Sequence, residues 1–214
     1  MLLNKIKQLP IYDIIENPKE YRFAIAVTFT TLLVMIFEPA SADWLRYQSN
    51  EVSSGQWWRI FTANLCHSNW NHWMLNIAGL WLMDLFYRPV LSQKLRASLL
   101  LICMLLNVLM LHLWMDIHWY VGLSGALHGY LIGGALLSWN KAKWLNFAII
   151  LVTTAKLIVE SNWQINLATE ELIGANVLEE AHSFGAVSAV IFWLGYLIIA
   201  RVTAKNTKSL FRFN

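Results

Sequence analysis

Long apolar runs alternate with short polar joints along most of this chain. At about 1.5 Å of rise per residue against a hydrocarbon core of about 30 Å, six runs read as membrane helices: 22–37, 70–87, 97–115, 119–139, 144–159 and 181–200. The third (ASLLLICMLLNVLMLHLWM), the fourth and the sixth carry no Asp, Glu, Lys or Arg between their ends. The second holds Asp84 near its exit and the fifth holds Lys156. The pattern predicts an all-α, polytopic membrane protein. Its expected parts are an N-terminal segment (1–21), a six-helix membrane domain (22–200) with an outer loop at 38–69, and a basic tail (201–214).

Composition supports this reading, because only 14% of residues are charged and 57% are hydrophobic, whereas a soluble domain carries about 25% charged residues. So few charges leave too little for a water-soluble shell, and they argue against a nucleic-acid module. Charge placement orients the helices. The N-terminal segment together with Arg22 at the start of the first run, the joints after the second and fourth runs and the C-terminal tail hold 13 of the 16 Lys and Arg residues, while the stretch 160–180 is purely acidic. By the positive-inside rule both termini are expected in the cytoplasm. Removing the fifth helix would put the basic tail outside. Lys156 is therefore expected near the outer boundary, snorkelling outward or pairing with Glu160 one turn away. The N-terminus lacks the apolar run and small-residue cleavage site of a signal peptide, so the first helix is expected to remain in the mature protein. Trp44, Trp57, Trp58, Trp70, Trp73, Trp114, Trp119 and Trp163 cluster near the outer boundary, and Trp139 and Trp144 near the inner one, as aromatic belts do. Cys66 and Cys103 have no metal-site or disulfide spacing.

In this topology the second, fourth and sixth helices all begin at the outer face, and their first turns hold unusual polar residues. The second opens NHWMLN, with His72 and Asn76 on one face; the fourth opens YVGLSGALHG, with Ser124 and His128 four apart; the sixth opens EEAHSFGAVSA, with His182. Polar groups at membrane depth are costly and usually face a bundle interior or a water-filled cavity. Gly125, Gly129 and Gly133 on the fourth helix and Ala181, Gly185 and Ala189 on the sixth repeat every four residues, a spacing that lets helix backbones approach closely. Such packing would bring the Ser124 hydroxyl to the His182 imidazole, a base able to activate it. His72 and Asn76 can donate to the oxyanion of an acyl-transfer intermediate. With no Asp evident beside His182, the expected arrangement is a Ser-His dyad. HExxH is absent and Asp84 is the only Asp in a predicted span, so metal-dependent and paired-aspartate cleavage lack their parts. All six histidines lie toward the outer face, and metal or haem binding, or transport, is the other reading they allow.

Three motifs carry a family resemblance. GQWWRIFTANLCHSNWNHWMLN resembles the first outer loop and second helix of rhomboid intramembrane serine proteases. YVGLSGALHG carries their GxSG nucleophile motif at Gly122–Gly125, and AHSFGAVSA resembles their AHxxGxxxG motif, with Ala189 in place of the last Gly. The resemblance covers roughly residues 20–200 and implies Ser124 as nucleophile, His182 as base, and His72 and Asn76 as oxyanion donors. Gly122, Gly125 and Gly185 are implied as supporting residues, and no cofactor or metal is called for. It also implies a helical hairpin in the outer loop beside the catalytic bundle. His128 stands where many rhomboids have Tyr, and it is expected to stack on or hydrogen-bond His182. The string GLSGALHG resembles the rhombosortase branch. That resemblance implies an enzyme of the bacterial inner membrane, with its active site near the periplasmic face, acting on proteins with a C-terminal Gly-Gly, membrane span and basic tail (the GlyGly-CTERM anchor). A catalytically silent rhomboid-like binding protein is the alternative within the family.

Overall fold

The computed structural model describes Ile14 and residues 17–163 and 167–210. Most of the expected N-terminal segment and the last four residues of the tail lie outside the described residues. Among the described residues the fold is all-α apart from one pair of two-residue strands. A 3-10 turn, Pro18–Tyr21, leads into α1 (Arg22–Ile36), and the outer loop follows with α2 (Ala40–Leu45), β1 (Tyr47–Gln48), α3 (Ser49–Ser53), α4 (Arg59–Thr62) and a second 3-10 turn, Ala63–Leu65. The remaining elements are α5 (Trp70–Tyr87), α6 (Gln93–Trp114), β2 (Trp119–Tyr120), α7 (Ser124–Leu137), α8 (Lys143–Trp163), α9 (Leu167–Ile173) and α10 (Glu179–Leu210).

Among the described residues three helices, Gln93–Trp114, Lys143–Trp163 and Glu179–Ala204, are long and apolar enough to cross a membrane. α7, with 14 residues, is only about 21 Å long. Most of it is buried, so neighbouring helices rather than lipid surround it. Its expected start at 119 moves to Ser124 because Tyr120 and Trp119 pair antiparallel with Tyr47 and Gln48. Gly122, at φ +120°, then turns the chain into the helix. α6 starts earlier than position 97: Ser92 caps it, its Oγ accepting from the Leu95 N–H at 3.4 Å. That early start draws Arg96 out of the joint and into the protein. Arg96 is fully buried against Asp84, also fully buried, and their ion pair is joined by the Tyr130 hydroxyl at 2.9 Å. Arg96 also donates to the Glu20 carbonyl at 2.9 Å, tying α5, α6, α7 and the first 3-10 turn together.

The stripes of small residues on α7 and α10 mesh in register. A Cβ on Gly125 would meet the Ala181 carbonyl at 2.7 Å, one on Gly129 would collide with the Gly185 carbonyl, and one on Gly133 would meet the Ala189 Cβ at 3.2 Å. Ala at 189 thus still permits the contact. A Cβ on Gly185 would strike the Gly125 carbonyl, whereas Gly195, farther along α10, has open space around it. Gly185→Ala is therefore expected to lower stability by about 1–3 kcal/mol, the usual cost of overpacking, and Gly195→Ala to change it little. Thermal unfolding of the two variants in detergent measures the difference.

Candidate active site

The segment before α7 is held on both sides. The Gly122 N–H donates to the Ala63 carbonyl at 3.1 Å, and the Tyr120 hydroxyl donates to the Gly122 carbonyl at 3.0 Å. Ser124 follows as the first residue of α7, and His182 lies in the first turn of α10. Because the two helices touch through glycine, the side chains above the contact are neighbours: Ser124 Oγ lies 3.1 Å from His182 Nε2.

His182 is flanked by groups from two further positions. The His128 ring lies almost parallel to it, with centroids 4.1 Å apart and planes 21° from one another. On the other edge, His182 Nδ1 is 3.2 Å from Glu160 Oε2. Glu160 in turn accepts from Lys156 Nζ at 2.5 Å, the pairing expected from their one-turn spacing. Lys156 Nζ is also 3.1 Å from His128 Nε2. The sequence pattern predicts Glu160 as a loop acid just past a helix ending at 159. The structure carries α8 on to Trp163, and Glu160 joins the side of α8 that faces the bundle, with Asn146, Thr153 and Leu157. That spacing of 7, 4 and 3 residues is the helical signal that would have placed it inside.

His72 and Asn76 lie one turn apart on α5, on the opposite side of Ser124's entry segment. A Cβ on Gly122 would come within 2.9 Å of His72 Nε2 and 4.0 Å of Asn76 Nδ2, so both groups converge on the chain two residues before Ser124. Ser68 holds the other His72 nitrogen, its Oγ 3.1 Å from Nδ1. Among the described residues Asn76 Nδ2 has no hydrogen-bond partner. These groups line a cleft of about 1180 Å³. α9 is pinned at its mouth: the Leu172 carbonyl accepts from Asn71 Nδ2 at 3.1 Å and the Ile173 carbonyl from Ser68 Oγ at 2.7 Å. Beside the cleft, burial and the nearby His72 hold His67 well below its ordinary value, at about 3, and so keep it neutral. Burial above all pushes the Cys66 thiol up to about 12, which leaves it inert as a nucleophile at neutral pH.

Metal ligation can be weighed at the same place. Ligand atoms of His128, Glu160 and His182 lie within 4.8 Å of one another, but the Lys156 ammonium already engages His128 Nε2 and Glu160 Oε1 from among them. His112, another of the outer-face histidines, is 3.0 Å from the Tyr47 hydroxyl instead. In this structure the Lys156 ammonium is the cation that this donor set holds. What the arrangement can do is remove a proton from a serine hydroxyl, next to a polar corner able to receive developing negative charge. Gly122 is central to that corner through both its positive φ and its lack of a side chain. Gly122→Ala is expected to slow the reaction of Ser124 with a serine-directed phosphonate probe by about tenfold or more, corresponding to ~1.4 kcal/mol of strain and displaced His72. The rate of covalent labelling checks this.

Comparison with known proteins agrees with the motifs. No curated protein matches the chain. The Rhomboid domain family model matches residues 54–201, more than half of the chain, from the outer loop through most of α10. The match takes in all three motifs and both helices that approach through glycine, and the chain belongs to the rhomboid family of intramembrane serine proteases.

Proposed function

We propose that the chain is an endopeptidase that releases exported proteins from C-terminal membrane anchors of the Gly-Gly type, with Ser124 as nucleophile and His182 as general base. The observation that carries the catalytic part of this reading is the 3.1 Å approach of Ser124 Oγ to His182 Nε2, and the substrate class follows from the resemblance of GLSGALHG to rhombosortases. His182 takes the hydroxyl proton as Ser124 Oγ bonds to the scissile carbonyl carbon, and the carbonyl oxygen becomes an oxyanion facing His72 and Asn76. Collapse breaks the C–N bond, with the His182 proton passing to the leaving amine. Water, deprotonated by the same imidazole, then hydrolyses the acyl-enzyme and frees Ser124. The polar cleft gives that water a place to enter.

The Lys and Arg distribution supports six spans with both termini in the cytoplasm and the helix mouths toward the outer face, and the resemblance to rhombosortases implies that this is the periplasmic face of a bacterial inner membrane. A peptide bond within a helix is shielded by the helix's own hydrogen bonds, so the substrate must unwind locally. Each glycine weakens a helix by about 1 kcal/mol, so an adjacent pair near the outer end of an anchor is a ready cleavage point. A basic tail after the anchor would keep its C-terminus cytoplasmic and hold the pair at the depth of Ser124.

Two experiments test the reading. Ser124→Ala and His182→Ala are each expected to abolish cleavage while the protein stays folded and inserted. Asn76→Ala should cost about 10²-fold or less, as for one oxyanion donor among several. Continued turnover by purified Ser124→Ala would overturn the mechanism. Mass spectrometry of the product from a substrate with a C-terminal Gly-Gly, apolar span and basic tail should find the new C-terminus at or beside the two glycines. A cut deep in the anchor, or equal cleavage after both glycines become Leu, would refute the substrate class.

A further inference from the structure

The contacts around His182 form a ring whose hydrogen-bond directions are fixed when both imidazoles are neutral. The Ser124 carbonyl can only accept, so at 2.9 Å His128 Nδ1 must carry the proton. His128 Nε2 is then a lone pair, which accepts from Lys156 Nζ at 3.1 Å. An ammonium can only donate, so it also donates to Glu160 Oε1 at 2.5 Å. The remaining carboxylate oxygen, Oε2, accepts from His182 Nδ1 at 3.2 Å, which leaves His182 Nε2 as the lone pair facing the Ser124 hydroxyl at 3.1 Å. The circuit begins at the Ser124 carbonyl and closes at its hydroxyl.

We propose that Glu160 is a positioning residue that completes a Ser124–His182–Glu160 triad, and that Lys156, set by His128, fixes which way the triad points. This inference rests on Ser124 and His182 acting as nucleophile and base. During attack the hydroxyl proton moves to His182 Nε2. The resulting imidazolium keeps its Nδ1–H on Glu160, whose carboxylate balances the new charge without taking the proton. Burial makes the effect large: the Glu160 and His182 side chains are 8% and 9% exposed, so little water competes for either group. Lys156 is 48% exposed and reaches the ring from the cleft side.

Because Lys156 has only donors, it imposes an unusual outcome on the isosteric change Glu160→Gln. The amide oxygen must face Lys156, which turns the amide NH2 toward His182 Nδ1. The NH2 then donates to Nδ1, the imidazole proton moves to Nε2, and Ser124 loses its base. Glu160→Gln is therefore expected to lower kcat by about 10³- to 10⁴-fold, the scale seen when a triad imidazole is held in the wrong tautomer, with KM little changed. Adding Lys156→Met frees the amide to flip its oxygen toward His182, and the double variant is expected to regain activity about tenfold or more over Glu160→Gln alone.

The test measures cleavage of an anchored Gly-Gly substrate by purified wild type, Ser124→Ala, Glu160→Gln and Glu160→Gln/Lys156→Met in detergent. It is paired with ¹⁵N NMR of labelled histidine, which reads the His182 tautomer whether or not the protein turns over. The expected result is a proton on Nδ1 in the wild type and on Nε2 in Glu160→Gln, with partial recovery in the double variant. Wild-type kcat in Glu160→Gln, an unchanged tautomer, or a double variant no faster than the single would overturn the triad while leaving the Ser-His reading intact if Ser124→Ala is inactive. Turnover by Ser124→Ala would instead overturn that reading itself.

Discussion

The backbone-to-backbone contact of α7 with α10 governs the rest of the structure. Side chains at Gly125, Gly129 or Gly185 would run into carbonyls of the facing helix, so the approach exists only because those side chains are missing. In lipid, where apolar surfaces gain little by meeting one another, such close packing is a principal source of helix association. Its register decides the chemistry. Ala181 lies against Gly125 and Gly185 against Gly129, which brings the residues next in sequence, His182 and Ser124, to 3.1 Å.

A bundle held together this way keeps its buried charges against partners. At one end Asp84, Arg96, Tyr130 and the Glu20 carbonyl form a buried network in which each charge has a partner. Removing one partner from such a pair leaves an uncompensated charge. Around Ser124 the polar groups are also paired, through His128, Lys156 and Glu160, but that ring opens into the cleft through half-exposed Lys156. The first network serves as an anchor between helices. The second is open to a ligand.

The cleft walls come from parts of the chain far apart in sequence. α5 supplies His72 and Asn76, the strand pair and Gly122 shape the entry to α7, and α9 leans over the mouth through hydrogen bonds to Ser68 and Asn71. Asn76 keeps an unpartnered amide among the described residues, a cost that a rigid, preorganised donor accepts until negative charge develops beside it. The acid comes from α8, which turns one narrow stripe toward the bundle and exposes the rest of its surface.

Much of this was legible in the sequence by itself. Apolar run lengths, the small-residue stripes, and Ser124 and His182 in first turns depend on local spacing, and local spacing is what a sequence displays. The rhomboid motifs carried the family, in agreement with the match over 54–201, and the i, i+4 spacing carried the Lys156–Glu160 pair. Helix ends were less legible. The apolar pattern predicts the fourth helix from 119 because Trp119, Tyr120 and Val121 are as apolar as a helix, whereas Trp119 and Tyr120 are extended by pairing with Gln48 and Tyr47. Arg96 reads as a joint cation because its partner, Asp84, lies 12 residues away on another helix. Glu160 was hidden for the same reason: it sits 22 residues from His182 in a stretch that reads as an acidic loop. Which acid meets which imidazole depends on how two helices rotate against each other, and that rotation is set by packing across the whole bundle rather than by any local pattern.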